Sequence, residues 1–298
     1  MVNFNIGEIS VTRVEDFIDQ HVPPGFLLPD LREETLREHE HWLAPRFYDA
    51  RANSFAIHIQ SFLLRTRHHN ILVDTCGGNC KPREHFPVFH MRNGPYLENL
   101  SAAGVAPEDI DFVFCTHLHI DHVGWNTRLE DGRWVPTFPN ARYLFSKTDY
   151  EAFDPRGHDS DRHDEKDDIF VDSVLPVMEA GLAELVDGIF EVNEMMTIEP
   201  APGHSPGHAL LRVRDAGESA LFTGDILHHP LQIACPELNS FACADPVLAR
   251  ATRRNTLERC ACEGHLLVPG HFAAPHAGHV REAAGKFSFS PLNCAEVS

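Results

Sequence analysis

The stretch THLHIDH (Thr116–His122) continues the apolar run DFVFCT (Asp111–Thr116), the two sharing Thr116. A short apolar run bounded in this way predicts a buried strand. The histidines then stand at the C-terminal end of a strand, where the loops of an α/β sheet carry chemistry. Side chains alternate along an extended segment, so His117, His119 and Asp121 are expected to face one side. A turn at Asp121–His122 lets His122 join them. A catalytic ion takes about three protein ligands and keeps one position for water. Ligand-type side chains packed this densely, with more histidines downstream, point to two neighbouring ions. A lone histidine would more simply be a surface group or a satisfied core group. A cluster of them directly after an apolar strand is not explained that way.

Further ligands are expected on other strand-end loops. PGHSPGH (Pro202–His208) lies between two strand signals, and its glycines permit close approach of backbone to a site. His204 is the expected ligand there, and His208 packs or orients the loop. ALFTGD (Ala220–Asp225) is an apolar strand ending in a carboxylate suited to bridging two cations, and LLVPGH (Leu266–His271) repeats the pattern with a histidine. Each is ambiguous singly. Together they place ligand types at several strand ends, which is the signature of an assembled site.

Outward from these loops, strand and helix signals alternate along the whole chain, which predicts an α/β class and one domain over residues 1–298. Strands are expected at Phe4–Val14, Ser54–Thr66, Asn70–Asp74, Ala141–Phe145, Met196–Glu199, Ala209–Val213, Ala220–Thr223 and Leu266–Pro269. The polar Arg67-His68-His69 makes the second and third of these a hairpin. Helices are expected at Pro95–Ala103, Val171–Leu182 and Val247 to about Cys262. Residues 15–50 read as an irregular N-terminal arm, with a turn at Pro23-Pro24-Gly25 and a short helix from Leu31 to about His41 capped by Asp30. Through Trp42, Phe47 and Tyr48 this arm either packs on the body or walls a pocket. Trp125 has the same two readings, pocket wall or core. Residues 154–168 are mostly acidic and predict an exposed loop, so His158 and His163 are read as solvated.

A net charge of −19 with no offsetting basic stripe disfavours nucleic acid and anionic membranes as partners. No stretch approaches the ~18 apolar residues of a membrane span. The N-terminus MVNFNIGEIS lacks a basic segment followed by an apolar one, so no signal peptide is expected. The eight cysteines form neither a zinc ribbon nor a disulfide framework, and read as thiols in a reducing cytoplasm. The remaining partner class is a small-molecule substrate, with a homodimer bridged by the N-terminal arm as the open oligomeric option.

HxHxDH at His117–His122, GHSPGH, TGD and PGH, in this order and spacing, resemble the metallo-β-lactamase fold superfamily over most of the chain. Asn70–Asp74 followed by Thr75 and a glycine pair resembles that family's early strand–Asp–Thr/Ser–Gly element. The resemblance implies an αββα sandwich of two mixed sheets flanked by helices. It implies that His117, His119 and His204 hold one metal, that Asp121, His122 and His271 hold the other, and that Asp225 bridges them together with a water or hydroxide. Asp74 would orient a ligand. The ions would be two divalent cations, zinc first, with manganese, cobalt or iron also accepted by such a His/Asp set. The complete ligand set is unlike flavodiiron members, and true β-lactamases of this fold generally lack the bridging aspartate. The chain is most similar to the lactonase and methyl-parathion-hydrolase branch, which also contains N-acyl-homoserine lactonases. Those lactonases place a tyrosine three residues after the bridging aspartate, whereas His228 stands here. The implied activity is hydrolysis of a small lactone or ester by a metal-bridging hydroxide. In it Asp121 shuttles a proton and His228 either donates to the developing oxyanion or supports the site from behind. Phosphotriester hydrolysis and a mononuclear-iron sulfur dioxygenase of the same fold are the alternatives.

Overall fold

The computed structural model describes residues 3–157 and 165–293. Its strands are β1 (Asn3–Ile6), β2 (Ile9–Val22), β3 (Tyr48–Asp49), β4 (Ser54–Arg65), β5 (Asn70–Val73), β6 (Phe112–Phe114), β7 (Thr127–Glu130), β8 (Arg133–Pro136), β9 (Arg142–Ser146), β10 (Ala183–Val186), β11 (Phe190–Asn193), β12 (Met196–Pro200), β13 (Ala209–Asp215), β14 (Glu218–Gly224), β15 (Leu266–Pro269), β16 (Gly278–Ala283) and β17 (Lys286–Pro291). One sheet runs β1-β2-β4-β5-β6-β9-β10 with β3 on β4, a second runs β11 to β17 in order, and β7-β8 is a separate ribbon. Both large sheets are mixed: β5, β6, β9 and β10 pair in parallel, as do β14 and β15, and the other pairings are antiparallel.

Period-two burial explains why these sheets stack. Phe62 and Leu64 of β4, Ile71 and Val73 of β5, Ala220 and Phe222 of β14, and Leu266 and Val268 of β15 share one apolar cluster between the sheets. The intervening residues face outward. Leu63 and Leu72 pack with Leu36 and Leu43 of the helix Glu33–Leu43 and with Tyr96 and Leu100 of the helix Tyr96–Ala102. Leu221 and Leu267 pack on the other side with Leu257 and Cys260 of the long C-terminal helix Pro246–Glu263. The layers are therefore helix, sheet, sheet, helix. Truncating Leu63 or Leu267 to alanine is expected to cost about 2–5 kcal/mol.

Several local expectations change. The first strand is two, split by a turn at Gly7-Glu8, and the second continues to Val22, paired with β4 and accommodating bulges. The irregular arm therefore begins at residue 23 rather than 15. Its helix starts at Glu33, and Arg32, not Asp30, is the capping position, with no side-chain cap. The helix expected at Val171–Leu182 is two short ones, Glu165–Ser173 and Leu175–Glu179, separated at Val174, with Pro176 in the first turn of the second. Residues 165–168, expected in the acidic loop, belong to the first of these helices. His158 and His163 lie outside the described residues. Trp125 is buried and stacks on Tyr96 with ring centroids 5.2 Å apart, so it belongs to the core and does not wall a pocket.

The parallel strands bring Asp74, Thr116 onward, Asp225 and His271 to one edge of the sandwich. Backbone bonds join the two sheets there: the Ala209 amide donates to the Thr116 carbonyl at 2.8 Å and the His58 amide to the His271 carbonyl at 3.2 Å.

Candidate metal centre

His117, His119, His204 and Asp225 form one donor group, and Asp121, His122, Asp225 and His271 form another, with all donor atoms of each group within 4.8 Å of one another. In the first, His204 Nε2 lies 3.1 Å from His117 Nε2, 2.9 Å from His119 Nδ1 and 3.2 Å from Asp225 Oδ2. In the second, His122 Nε2 lies 3.2 Å and His271 Nε2 3.0 Å from Asp225 Oδ1, while Asp121 reaches His122 at 3.6 Å and His271 at 3.4 Å. Donor atoms about 2.0–2.1 Å from a common tetrahedral centre stand about 3.3 Å apart, so both spacings suit a cation. The carboxylate of Asp225 gives Oδ2 to one group and Oδ1 to the other.

The grouping differs from simple alternation along an extended segment. Residues 116–122 bend, and the His122 amide donates to the His119 carbonyl at 3.1 Å. Asp121 is turned away from His117 and His119 and joins the second group.

The buried atoms fit bound cations. Among the described residues, both ring nitrogens of His122 and Oδ1 of Asp225 are buried without an aligned hydrogen bond, although His122 Nδ1 is 2.9 Å from Asp74 Oδ2. Buried polar atoms in folded proteins are almost always satisfied. The charge balance points the same way. Burial, reinforced by the neighbouring imidazoles, pushes His117 and His119 well below the ordinary imidazole range, leaving lone pairs free to coordinate. Burial also opposes a proton on His122, His204 and His271, but the surrounding carboxylates outweigh it, lifting His204 to about 9. Burial would raise Asp225, but His271, His122, His228 and His204 hold it well below the usual carboxylate range. Carboxylates here demand positive charge, which a metal supplies without protonating the ligands.

The supports are as specific as the ligands. Asp74 accepts from the Thr116 amide at 2.8 Å and from its hydroxyl, beside His117 and against His122. This is the orienting position expected of it. His208 Nε2 accepts the Asp225 amide at 3.1 Å, which fixes the turn after β14. Gly224 makes that turn at φ 46°, and a Cβ there would lie 2.6 Å from Thr116 Oγ1 and 2.8 Å from His208 Nε2. His271 Nδ1 is 2.9 Å from the His58 carbonyl. The Gln60 carboxamide donates to the carbonyls of Gly270 and Phe272, on either side of His271. His228 Nε2 sits 3.1 Å from Asp225 Oδ2, while its Nδ1 has no hydrogen-bond partner among the described residues. Burial holds His228 at about 4, so it is a neutral imidazole.

Access is one-sided. His117, His122, His204, Asp225 and His271 are buried, whereas His119, Ile120 and Asp121 are partly exposed. Phe153 stands edge-on to His119, centroids 5.5 Å apart. On the His204 side, the loop after Pro236 returns to the site: the Ala244 amide donates to the His204 carbonyl at 2.9 Å, and Cys243 Sγ lies 3.9 Å from His204 Nδ1. The same loop carries Phe241, whose amide donates to the Leu27 carbonyl and whose ring packs on Phe26 at 4.7 Å. Both rings remain about half exposed. The N-terminal arm thus touches the loop that also carries Cys243 and Ala244. Gln60, Cys243 and the Phe26–Phe241 pair carried no sequence signal of their own, because each acts across a long separation in the chain.

Comparison with known proteins places these observations. The metallo-beta-lactamase superfamily model matches residues 56–271. The N-acyl homoserine lactonase AiiA of Bacillus thuringiensis subsp. kurstaki is 25% identical over 226 residues, 70% of this chain and 79% of that protein. The N-acyl homoserine lactonase AttM of Azorhizobium caulinodans is 28% identical over 174 residues, 54% of this chain and 61% of that protein. Among solved structures, the hydrolase AbOPH of the beta lactamase superfamily superposes with a TM-score of 0.79 at 26% identity, covering 98% of this chain and 97% of that one. The dizinc quorum-quenching lactonase AidC shares the fold with a TM-score of 0.74 at 21% identity and the same coverage.

Proposed function

This chain belongs to the metallo-β-lactamase superfamily, and from that membership and its two donor groups we propose that it is a dinuclear metal-dependent lactonase opening a small lactone that carries an apolar substituent. The observation that carries the proposal is the division of Asp225, one oxygen to each donor group, at an edge partly exposed around His119–Asp121. Lactonase names among the relatives support the ester class, and the nitrogen and oxygen donor set suits zinc.

His117, His119, His204 and Asp225 would hold one ion and Asp121, His122, His271 and Asp225 the other. Such a pair supplies Lewis acidity toward a carbonyl oxygen and lowers the pKa of water. Asp121, the partly exposed carboxylate, is placed to pass a proton to the leaving oxygen. Neutral His228 gives its one N–H, on Nε2, to Asp225 Oδ2, so its Nδ1 can only accept and the residue supports the bridging carboxylate rather than donating to the oxyanion. Phe153, Phe26 and Phe241 offer the substituent an apolar border.

The test is turnover of short- and long-chain lactones, an aryl ester, a phosphotriester and a β-lactam by zinc-loaded protein, with and without chelator. Chelator-sensitive lactone opening is expected, with Phe241→Ala raising KM for long-chain more than for short-chain lactones. Silence on every lactone and ester from protein carrying two ions would overturn the proposal.

A further inference from the structure

Outside the donor groups, one buried carboxylate forms no ion pair among the described residues and yet touches both loops that supply the first group. Asp149 lies in the first turn of the helix Lys147–Phe153 and is fully buried. Its Oδ2 accepts from the Leu118 amide at 3.3 Å and from the Ser205 hydroxyl at 2.8 Å, and its Oδ1 accepts from the Gly207 amide at 2.5 Å. Leu118 separates His117 from His119, and Ser205 follows His204. Every histidine of the first group is therefore one residue from a group that Asp149 holds. The second loop rests directly on the helix: a Cβ at Gly207 would lie 2.3 Å from the Asp149 amide nitrogen and 2.5 Å from Ser146 Oγ.

A carboxylate buried without a cation is costly unless hydrogen-bonded. These donors satisfy it only while the two loops keep their spacing, so the burial of Asp149 is itself a restraint on that spacing. The contacts are selective. Asp149 reaches no residue adjoining His271 and accepts nothing from Asp121 or His122 among its described bonds.

We propose that Asp149 is a positioning residue for one metal site only, setting the distance between the His117–His119 loop and the His204 loop. This rests on the dinuclear reading above.

The experiment uses single-site backgrounds. His271→Ala leaves the first group as the complete one, and His119→Ala leaves the second. Zinc affinity is measured by chelator competition, alongside the melting temperature of the metal-free protein. Asp149→Asn in the His271→Ala background is expected to weaken zinc by about 10–100-fold, and in the His119→Ala background by less than about twofold. Ser205→Ala tests the same contact from the other loop should Asp149→Asn fold poorly, with the same asymmetry expected. Equal weakening at both sites, or unchanged affinity at the first with only a lower melting temperature, would overturn the positioning role. A parent protein that takes up fewer than two ions would overturn the dinuclear reading, and the proposal with it.

Discussion

Removing the charge of Asp172 tests how the loop that precedes the site is anchored. Asp172 accepts a two-pronged contact from Arg83, Nη1 at 2.7 Å and Nη2 at 2.8 Å, and lies 3.3 Å from Lys81 Nζ. Lys81 and Arg83 are fully buried, so two cations rely on one carboxylate. Lys81 also donates to Thr127 Oγ1 at 2.8 Å. Burial pulls Lys81 down to about 8, and Asp172 resists that fall. In Asp172→Asn the pairing with Arg83 is lost, which costs about 3–5 kcal/mol for a buried pair broken on one side. Lys81 then gives up its proton near neutrality. In the parent that proton is worth about 1 kcal/mol at pH 7 and nothing above about pH 9.5. The variant's deficit is therefore expected to shrink by about 1 kcal/mol between pH 7 and pH 9.5. Urea unfolding of the metal-free parent and variant at both pH values measures it. A deficit under about 1 kcal/mol at pH 7, or one that grows with pH, would refute the reasoning.

Asp225→Ala is expected to lose both ions and nearly all turnover, read by metal analysis and lactone hydrolysis; loss of a single ion would contradict the shared carboxylate. Gly124→Ala drives a Cβ to within 2.0 Å of the Gly77 carbonyl carbon and oxygen, beside the Thr75 amide that donates to the His122 carbonyl. It should destabilise by about 1–3 kcal/mol and weaken the second metal site more than the first, measured by melting temperature and chelator competition. Burial holds His276 at about 3, with its Nδ1 2.7 Å from the Phe272 carbonyl. As pH falls from about 6.5 toward 4 the unfolded chain takes up a proton that the folded chain excludes, so stability falls by about 1 kcal/mol per pH unit from this group. His276→Gln should remove that share of the slope in metal-free protein, and an unchanged slope would count against it.

The site was legible where chemistry is packed into a few neighbouring residues. His117, His119, Asp121, His122, His204, Asp225 and His271 all stand in loops that follow strands whose apolar character is plain in the sequence, and the structure brings them together. The partition of Asp121 was not legible from alternation, because residues 116–122 bend. Asp149 was hidden by its own local pattern. Ser146 accepts the Asp149 amide as an ordinary helix cap, so the aspartate reads as a helix start. Its carboxylate acts 56 residues away on Ser205, and Gln60 acts 210 residues away on Gly270, distances over which one sequence carries no signal. Other misses had a signal. Asp131-Gly132 and Ala284-Gly285 turn the β7–β8 and β16–β17 hairpins with positive φ at both residues, the geometry of two-residue hairpin turns.

Each donor group takes two ligands from a loop after β6 and two from loops of the opposing sheet. An ion held there is also a rivet through the sandwich, because its coordination sphere cannot persist if the layers slide past one another. Whatever binds only the assembled form adds to stability with the logarithm of its free concentration. Metal supply would therefore govern how long the molecule survives as well as how fast it works, and starvation for the ion would loosen the same edge through which substrate enters.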